Sequence, residues 1–135
     1  MCIRDRSKKG YEFFLESDSG LLSNYSDNDY IEAGAKIVSQ NEVFDCDIVC
    51  KVNAPSDEEV SLLKPGILFI SLLQTIKEIE CVKKLAGKKV SAFSLNLLPR
   101  TTLAQKMDVL SSQANIAGYK AVLIGSNHIL SLIHI

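Results

Sequence analysis

The chain has 135 residues, 47% of them hydrophobic, with 15 Lys and Arg against 16 Asp and Glu and a formal net charge of −1. One domain at most fits that length, and the apolar fraction suffices for a packed core without metal or disulfide staples. The near-neutral balance excludes a basic nucleic-acid stripe, and the longest apolar run, around Ile67 to Leu73, falls far short of the roughly 20 residues a membrane-spanning helix needs.

The two ends are expected to share an origin unlike that of the interior. Read as DNA, ATGTGTATAAGAGACAG encodes Met-Cys-Ile-Arg-Asp and opens an AG codon that arginine uses. Its reverse complement encodes Leu-Ser-Leu-Ile-His-Ile, the last six residues. Met1–Arg6 and Leu130–Ile135 are therefore expected to be translated sequencing adaptor that packs poorly on the fold. Residues 7–129 are the expected domain, a fragment truncated at both ends.

Within it, Tyr11–Glu16 is short, aromatic and apolar, the pattern of a strand. Gly10 and Gly20 read as turn residues. Ser26 with Asp29 three residues on starts a helix that Gly34 ends. Lys36–Val38 and Ile48–Val52 read as the next strands. Ser56 and Glu59 form a clearer capping box, and Lys64-Pro65-Gly66 stops that helix. Ile67–Leu72 has the continuous apolar character of a strand buried on both faces. Ile76, Ile79, Val82, Lys83, Leu85 and Ala86 carry a helical stripe closed by Gly87. Val90–Leu95 is a strand, Pro99–Thr102 a loop, and Leu103 to about Ser126 a helix with a break expected near Asn115 or Gly118. Strands separated by helices of this length imply an α/β fold with a mostly parallel, three-layer sheet and helices on both faces.

Chemistry concentrates after the last strand, where open α/β sheets place their ligands. Gln105, Asp108 and Ser111 are spaced by three, so one helix side would carry them all. Arg100 in the loop ahead would reach back to Asp108, with Thr101 and Thr102 beside it as cleft residues. A guanidinium, a carboxylate, an amide and a hydroxyl would then face one small polar ligand. On spacing alone, a solvated helix face with an ordinary ion pair is the commoner arrangement. Cys46 and Cys50 lack a second Cys or His pair at zinc-like spacing and read as buried reduced thiols. Cys81 reads as core, and nothing beside His128 suggests a metal.

Lys51-Val52-Asn53-Ala54-Pro55, Leu63-Lys64-Pro65-Gly66, Pro99-Arg100 and the run from Ala104 to Val122 carry a resemblance that spacing does not. With the Arg-x4-Gln-x2-Asp-x2-Ser segment followed by Asn-Ile-Ala-Gly-Tyr, the chain resembles the proton-translocating nicotinamide nucleotide transhydrogenases. The similarity is to the NAD(H)-binding domain of the alpha subunit, over nearly all of residues 8–128. It implies a Rossmann-like or flavodoxin-like N-terminal subdomain and hydride transfer between NAD(H) and NADP(H), coupled to proton translocation. It places Arg100, Gln105, Asp108 and Ser111 on the nicotinamide side of NAD(H), with no protein acid or base required. It further implies NADP(H) on a separate domain, a beta subunit and membrane domain as partners, an alpha-subunit homodimer, and a place on the cytoplasmic face of the inner membrane.

The sequence also departs from that family. Gln74–Glu78 replaces a common aromatic-Pro-Ala-Gln-Asn segment, Asn96 stands for a common Asp, and Leu103 for a common Arg. The glycine-rich fingerprint that holds a pyrophosphate is absent and is expected beyond residue 129. The chain alone is therefore expected to be marginally stable and to bind no NADH measurable by calorimetry. Alanine dehydrogenase is a relative with the same fold. Lys51 matches its substrate-carboxylate lysine, but its histidine aligns with Gln74, and an amide cannot act as acid or base. Lys51 is accordingly read as a structural or cleft residue. An alanine dehydrogenase-like oxidoreductase and a non-catalytic nucleotide-binding module are the alternative functions.

Overall fold

The computed structural model describes residues 2–129, which form two compact units divided between Phe93 and Ser94. The terminal hexapeptide Leu130–Ile135 lies outside the described residues, as does Met1. Cys2–Ser7 forms a short helix, α1, whose Arg4, Asp5 and Arg6 are exposed.

In the first unit, β1 (Phe13–Glu16) pairs in parallel with β2 (Ala35–Val38), with Phe13 opposite Ala35 and Glu16 opposite Val38. The connection runs through α2 (Asp27–Glu32), and its start is the capping box read from the sequence. The Ser26 amide donates to the Asp29 carboxylate at 2.7 Å, and the Asp29 amide returns a bond to Ser26 Oγ at 3.4 Å. Gly34 ends the helix at φ +96°, a conformation that side chains with a Cβ rarely adopt. Gly20 serves closeness rather than conformation, because a Cβ there would lie 2.4 Å from the Tyr30 ring.

After β2, Gln40–Val43 turns into a helix, α3, that was not anticipated. Its signal was present in the sequence: Ser39 and Glu42 form a third capping box, with the Ser39 amide donating to Glu42 at 2.9 Å. The chain then enters a second sheet of order β3–β4–β5, formed by Ile48–Cys50, Leu68–Ser71 and Ser91–Ser94. β3 and β4 are parallel, with Val49 opposite Phe69. The α/β class with parallel pairing is thus as read, but the strands are divided between two sheets. No ladder joins the two sheets among the described residues.

Helices α4 (Asp57–Leu62) and α5 (Ile79–Gly87) make the connections of this second sheet and pack on each other. Phe44, Val49, Val60, Leu63, Ile67, Phe69, Leu73, Leu85 and Val90 form the core, drawn from β3, β4, α4, α5 and the segments that flank them. Alternation along β4 buries Phe69 and Ser71 fully and leaves Leu68 and Ile70 partly covered, so only one face is sealed. The same alternation corrects the reading of Cys50. In β3 only Val49 points inward, and Cys50 is exposed. Cys46 and Cys81 are half-buried thiols at the core edge. Ile76 is corrected as well. It is 91% exposed because Gln74–Glu78 forms a turn before α5, held by the Glu78 carboxylate accepting from the Gln74 amide at 2.7 Å.

Ser71 Oγ is fully buried and has no hydrogen-bond partner among the described residues. An unsatisfied buried hydroxyl costs on the order of 1–3 kcal/mol. Ser71→Ala is therefore expected to leave stability unchanged or raise it by about 1 kcal/mol. Urea unfolding measures this, and a clear loss of stability would show that the hydroxyl has a partner.

The second unit begins at the end of β5. A 3-10 turn at Leu95–Leu97 is followed by the Pro99–Thr102 loop and a second 3-10 turn at Ala104–Met107. The helix α6 then runs unbroken from Val109 to His128, with Gly118 inside it. The expected single helix from Leu103 is thus two pieces joined at Asp108, and the expected break at Asn115 or Gly118 does not occur. Apolar side chains lie all round α6, with Ile116, Tyr119, Val122 and Leu123 exposed. No helix among the described residues is long and apolar enough to cross a membrane.

Candidate functional site

The polar cluster of the second unit is built from its turn geometry. Thr101 organises the loop. Its carbonyl accepts from the Gln105 amide at 3.0 Å, and its Oγ1 accepts from the Ala104 amide at 3.4 Å. These bonds wind Ala104–Met107 as a 3-10 turn, and Ala104 anchors it by burial. Asp108 then leaves the helical region (φ −77°, ψ 87°) and becomes the N-cap of α6. One carboxylate oxygen, Oδ1, accepts from the Ser111 amide at 3.0 Å, while Oδ2 accepts from Ser111 Oγ at 2.6 Å. The Ser112 hydroxyl donates to the Asp108 carbonyl at 3.1 Å.

An open concavity of about 360 Å³ results, lined by Pro99, Arg100, Gln105, Asp108, Ser111 and Ser112. The four residues singled out from the sequence therefore do converge. They do so without the shared helix face that their spacing suggested, since Gln105 lies in the 3-10 turn, Asp108 at the cap and Ser111 in the first turn of α6. Pro99 and Ser112 were missed. Ser112 was legible in principle, because a serine four residues after an N-cap Asp lies over the cap's own carbonyl, to which its hydroxyl donates. Thr101 acts through the backbone, and Thr102 is exposed and does not line the concavity.

The expected Arg100–Asp108 ion pair is not formed. The Ser111 hydroxyl and amide bonds are what hold the Asp108 carboxyl below the usual carboxylate range. Partial burial opposes them, and the Leu110 amide and the Arg100 charge add smaller pulls in the same direction. Asp108 is consequently an anion at neutral pH, already oriented by its cap. Arg100 is exposed and lines the concavity, where its guanidinium presents donors only. The site offers donors from Arg100 and Gln105 and acceptors from Gln105 and Asp108. That set fits a planar carboxamide. It contains no nucleophile paired with a base of suitable pKa. His128 lies at the far end of α6, about 30 Å along a helix of that length.

Lys51 belongs to the first unit. It follows β3 and lines a concavity of about 480 Å³ with Gln40, Ser56, Glu58, Glu59, Ser61 and Leu62. Its ammonium is held by Glu59, a residue noted in the sequence only as a cap. Among the described residues no group of three or more His, Cys, Asp or Glu could hold a metal ion.

Residues 3–117 match the family described as alanine dehydrogenase/PNT, N-terminal domain. The NAD(P) transhydrogenase subunit alpha of Haemophilus influenzae is 40% identical over 116 residues, covering 86% of this chain and 23% of that protein. An alanine dehydrogenase of Staphylococcus haemolyticus is 33% identical over 122 residues, covering 88% of this chain and 32% of that protein. Among solved structures, the transhydrogenase from Sinorhizobium meliloti superposes with a TM-score of 0.89 at 33% identity, covering 96% of this chain and 39% of that one. The chain thus spans about a quarter to a third of the length of these curated relatives.

Proposed function

Because the chain belongs to the alanine dehydrogenase/PNT N-terminal domain family, we propose that it is part of the alpha subunit of a transhydrogenase that passes hydride between NAD(H) and NADP(H). In this reading it supplies the nicotinamide-side contacts of the NAD(H) site. The observation that carries the proposal is the convergence of Arg100, Gln105, Asp108 and Ser111 on one concavity.

The nicotinamide ring supplies the hydride chemistry when bound. The protein's part is orientation. Arg100 and Gln105 would hold the carboxamide with donors, and Gln105 and Asp108, the latter fixed by Ser111, would hold it with acceptors. Donors and acceptors held in advance in this way limit the ring's rotation before transfer. The chain contains no Gly-x-Gly-x-x-Gly segment, so the residues present fit the nicotinamide end of the cofactor and not its pyrophosphate.

The same reading assigns NADP(H) to a separate domain and makes a beta subunit, a membrane domain and a second alpha subunit the partners. Hydride transfer would be coupled to proton translocation at the cytoplasmic face of the inner membrane. The test is a chimera in which residues 7–129 replace the matching part of the Haemophilus influenzae alpha subunit, assembled with its own partners. It is expected to reduce an NADP analogue with NADH. A folded, assembled chimera that fails to do so overturns the proposal, and one that oxidises L-alanine instead supports the alanine dehydrogenase-like alternative.

A further inference from the structure

The stretch from Pro99 to Asp108 carries Arg100 and Gln105, the two donor side chains of the concavity, yet within it only Ala104 is buried. Leu103 is 84% exposed. A segment with so little apolar contact takes its shape from hydrogen bonds instead. Thr101 engages all of its polar groups in them. Its amide donates to the Pro99 carbonyl at 2.9 Å, a bond that spans one residue and closes a γ-turn with Arg100 at the centre. Arg100 has a negative φ, so this is the common inverse form of that turn. On its other side, the Thr101 carbonyl accepts from the Gln105 amide at 3.0 Å and Oγ1 from the Ala104 amide at 3.4 Å.

The series continues into the rest of the site. The Gln105 carbonyl accepts from the Asp108 amide at 3.2 Å, and the Asp108 carboxylate accepts from the Ser111 amide at 3.0 Å. Local bonds that begin at Thr101 therefore set Arg100, Gln105, Asp108 and Ser111 one after another. Thr101 itself is exposed and does not line the concavity. It touches the site only through the turns on either side of it.

We propose that Thr101 is a positioning residue: its amide fixes the turn that presents Arg100, and its carbonyl and hydroxyl fix the turn that presents Gln105. The spacing of the two donors is then set before a ligand arrives. The ligand part of this inference rests on the nucleotide reading above, and the turn geometry does not. Of the three bonds, only the hydroxyl's can be removed by changing the side chain, and it is the longest, so the expected effects are moderate.

Hydrogen exchange on the full chain tests the turn by itself. Thr101→Val keeps the shape and removes the hydroxyl. The amides of Ala104 and Gln105 are expected to exchange about fivefold faster in it, with Tyr119 and Val122 of α6 unaffected. Thr101→Ser should retain the original protection. Unchanged exchange in Thr101→Val, or equal acceleration along α6, overturns the turn.

In the transhydrogenase chimera, Thr101→Val is expected to lower kcat about fivefold, with KM for NADH and the thermal midpoint little changed. Thr101→Ser should restore the rate. Added to Gln105→Ala, Thr101→Val should cost nothing more, because its effect passes through the Gln105 side chain. Losses that multiply in the double variant, or a defect that Thr101→Ser shares, overturn the positioning role. An unsubstituted chimera without transhydrogenation instead sinks the nucleotide reading, and the exchange result alone then decides the turn.

Discussion

Arg100→Ala in the chimeric subunit is expected to slow hydride transfer about a hundredfold, the loss that follows when a reacting group is misplaced by roughly 1 Å. The thermal midpoint should stay almost where it was. Arg100 is exposed and forms no ion pair with Asp108, so its truncation opens no cavity and leaves no buried charge unpaired. The effect belongs to the ligand alone. Asp108→Asn should be milder, because asparagine also caps helices and keeps an acceptor for the Ser111 amide. Lys106 supplies the control. It is exposed in the 3-10 turn and does not line the concavity, so Lys106→Ala should be nearly silent. Steady-state transhydrogenation beside thermal midpoints checks all three variants. Equal damage from Lys106→Ala, or an Arg100→Ala effect that tracks unfolding, would sink the nicotinamide assignment in favour of a solvated face.

Phe69→Ala should produce the largest loss of stability. Its ring is 0% exposed at the centre of the second sheet, opposite Val49 and packed within the core cluster. Truncating such a ring costs about 3–5 kcal/mol, through lost transfer energy and the cavity left behind. Small domains hold only about 5–15 kcal/mol in total, so the variant is expected to lose most of its cooperative transition. Chemical denaturation followed by circular dichroism gives the answer. A loss below about 1 kcal/mol would mean that the core is centred elsewhere.

Part of this molecule was legible residue by residue. Three Ser-x-x-acid pairs, at Ser26, Ser39 and Ser56, start α2, α3 and α4, because a cap depends only on a side chain and amides three positions away. The pair at Ser39 is as readable as the other two, and it announces α3. Gly34 and Gly66 stop their segments at φ +96° and +87°, again a local matter of steric freedom. The apolar run around Phe69 marked the central strand, and the family resemblance followed from motifs strung along the chain.

The rest depended on distant partners. Nothing local says that β1–β2 and β3–β4–β5 form separate ladders, since a strand carries the same unpaired amides whichever neighbour it finds. Cys50 could be placed outside only once β3 had chosen to bury Val49. The spacing of Gln105, Asp108 and Ser111 foretold their proximity but not its form, because an aspartate that satisfies the first turn of α6 must itself leave the helix. Glu59 shows the same division most sharply. The sequence by itself determined that it caps α4. Only the tertiary structure decided that Lys51, arriving from the end of β3, would share its carboxylate, since that meeting depends on where two elements pack and not on what either contains.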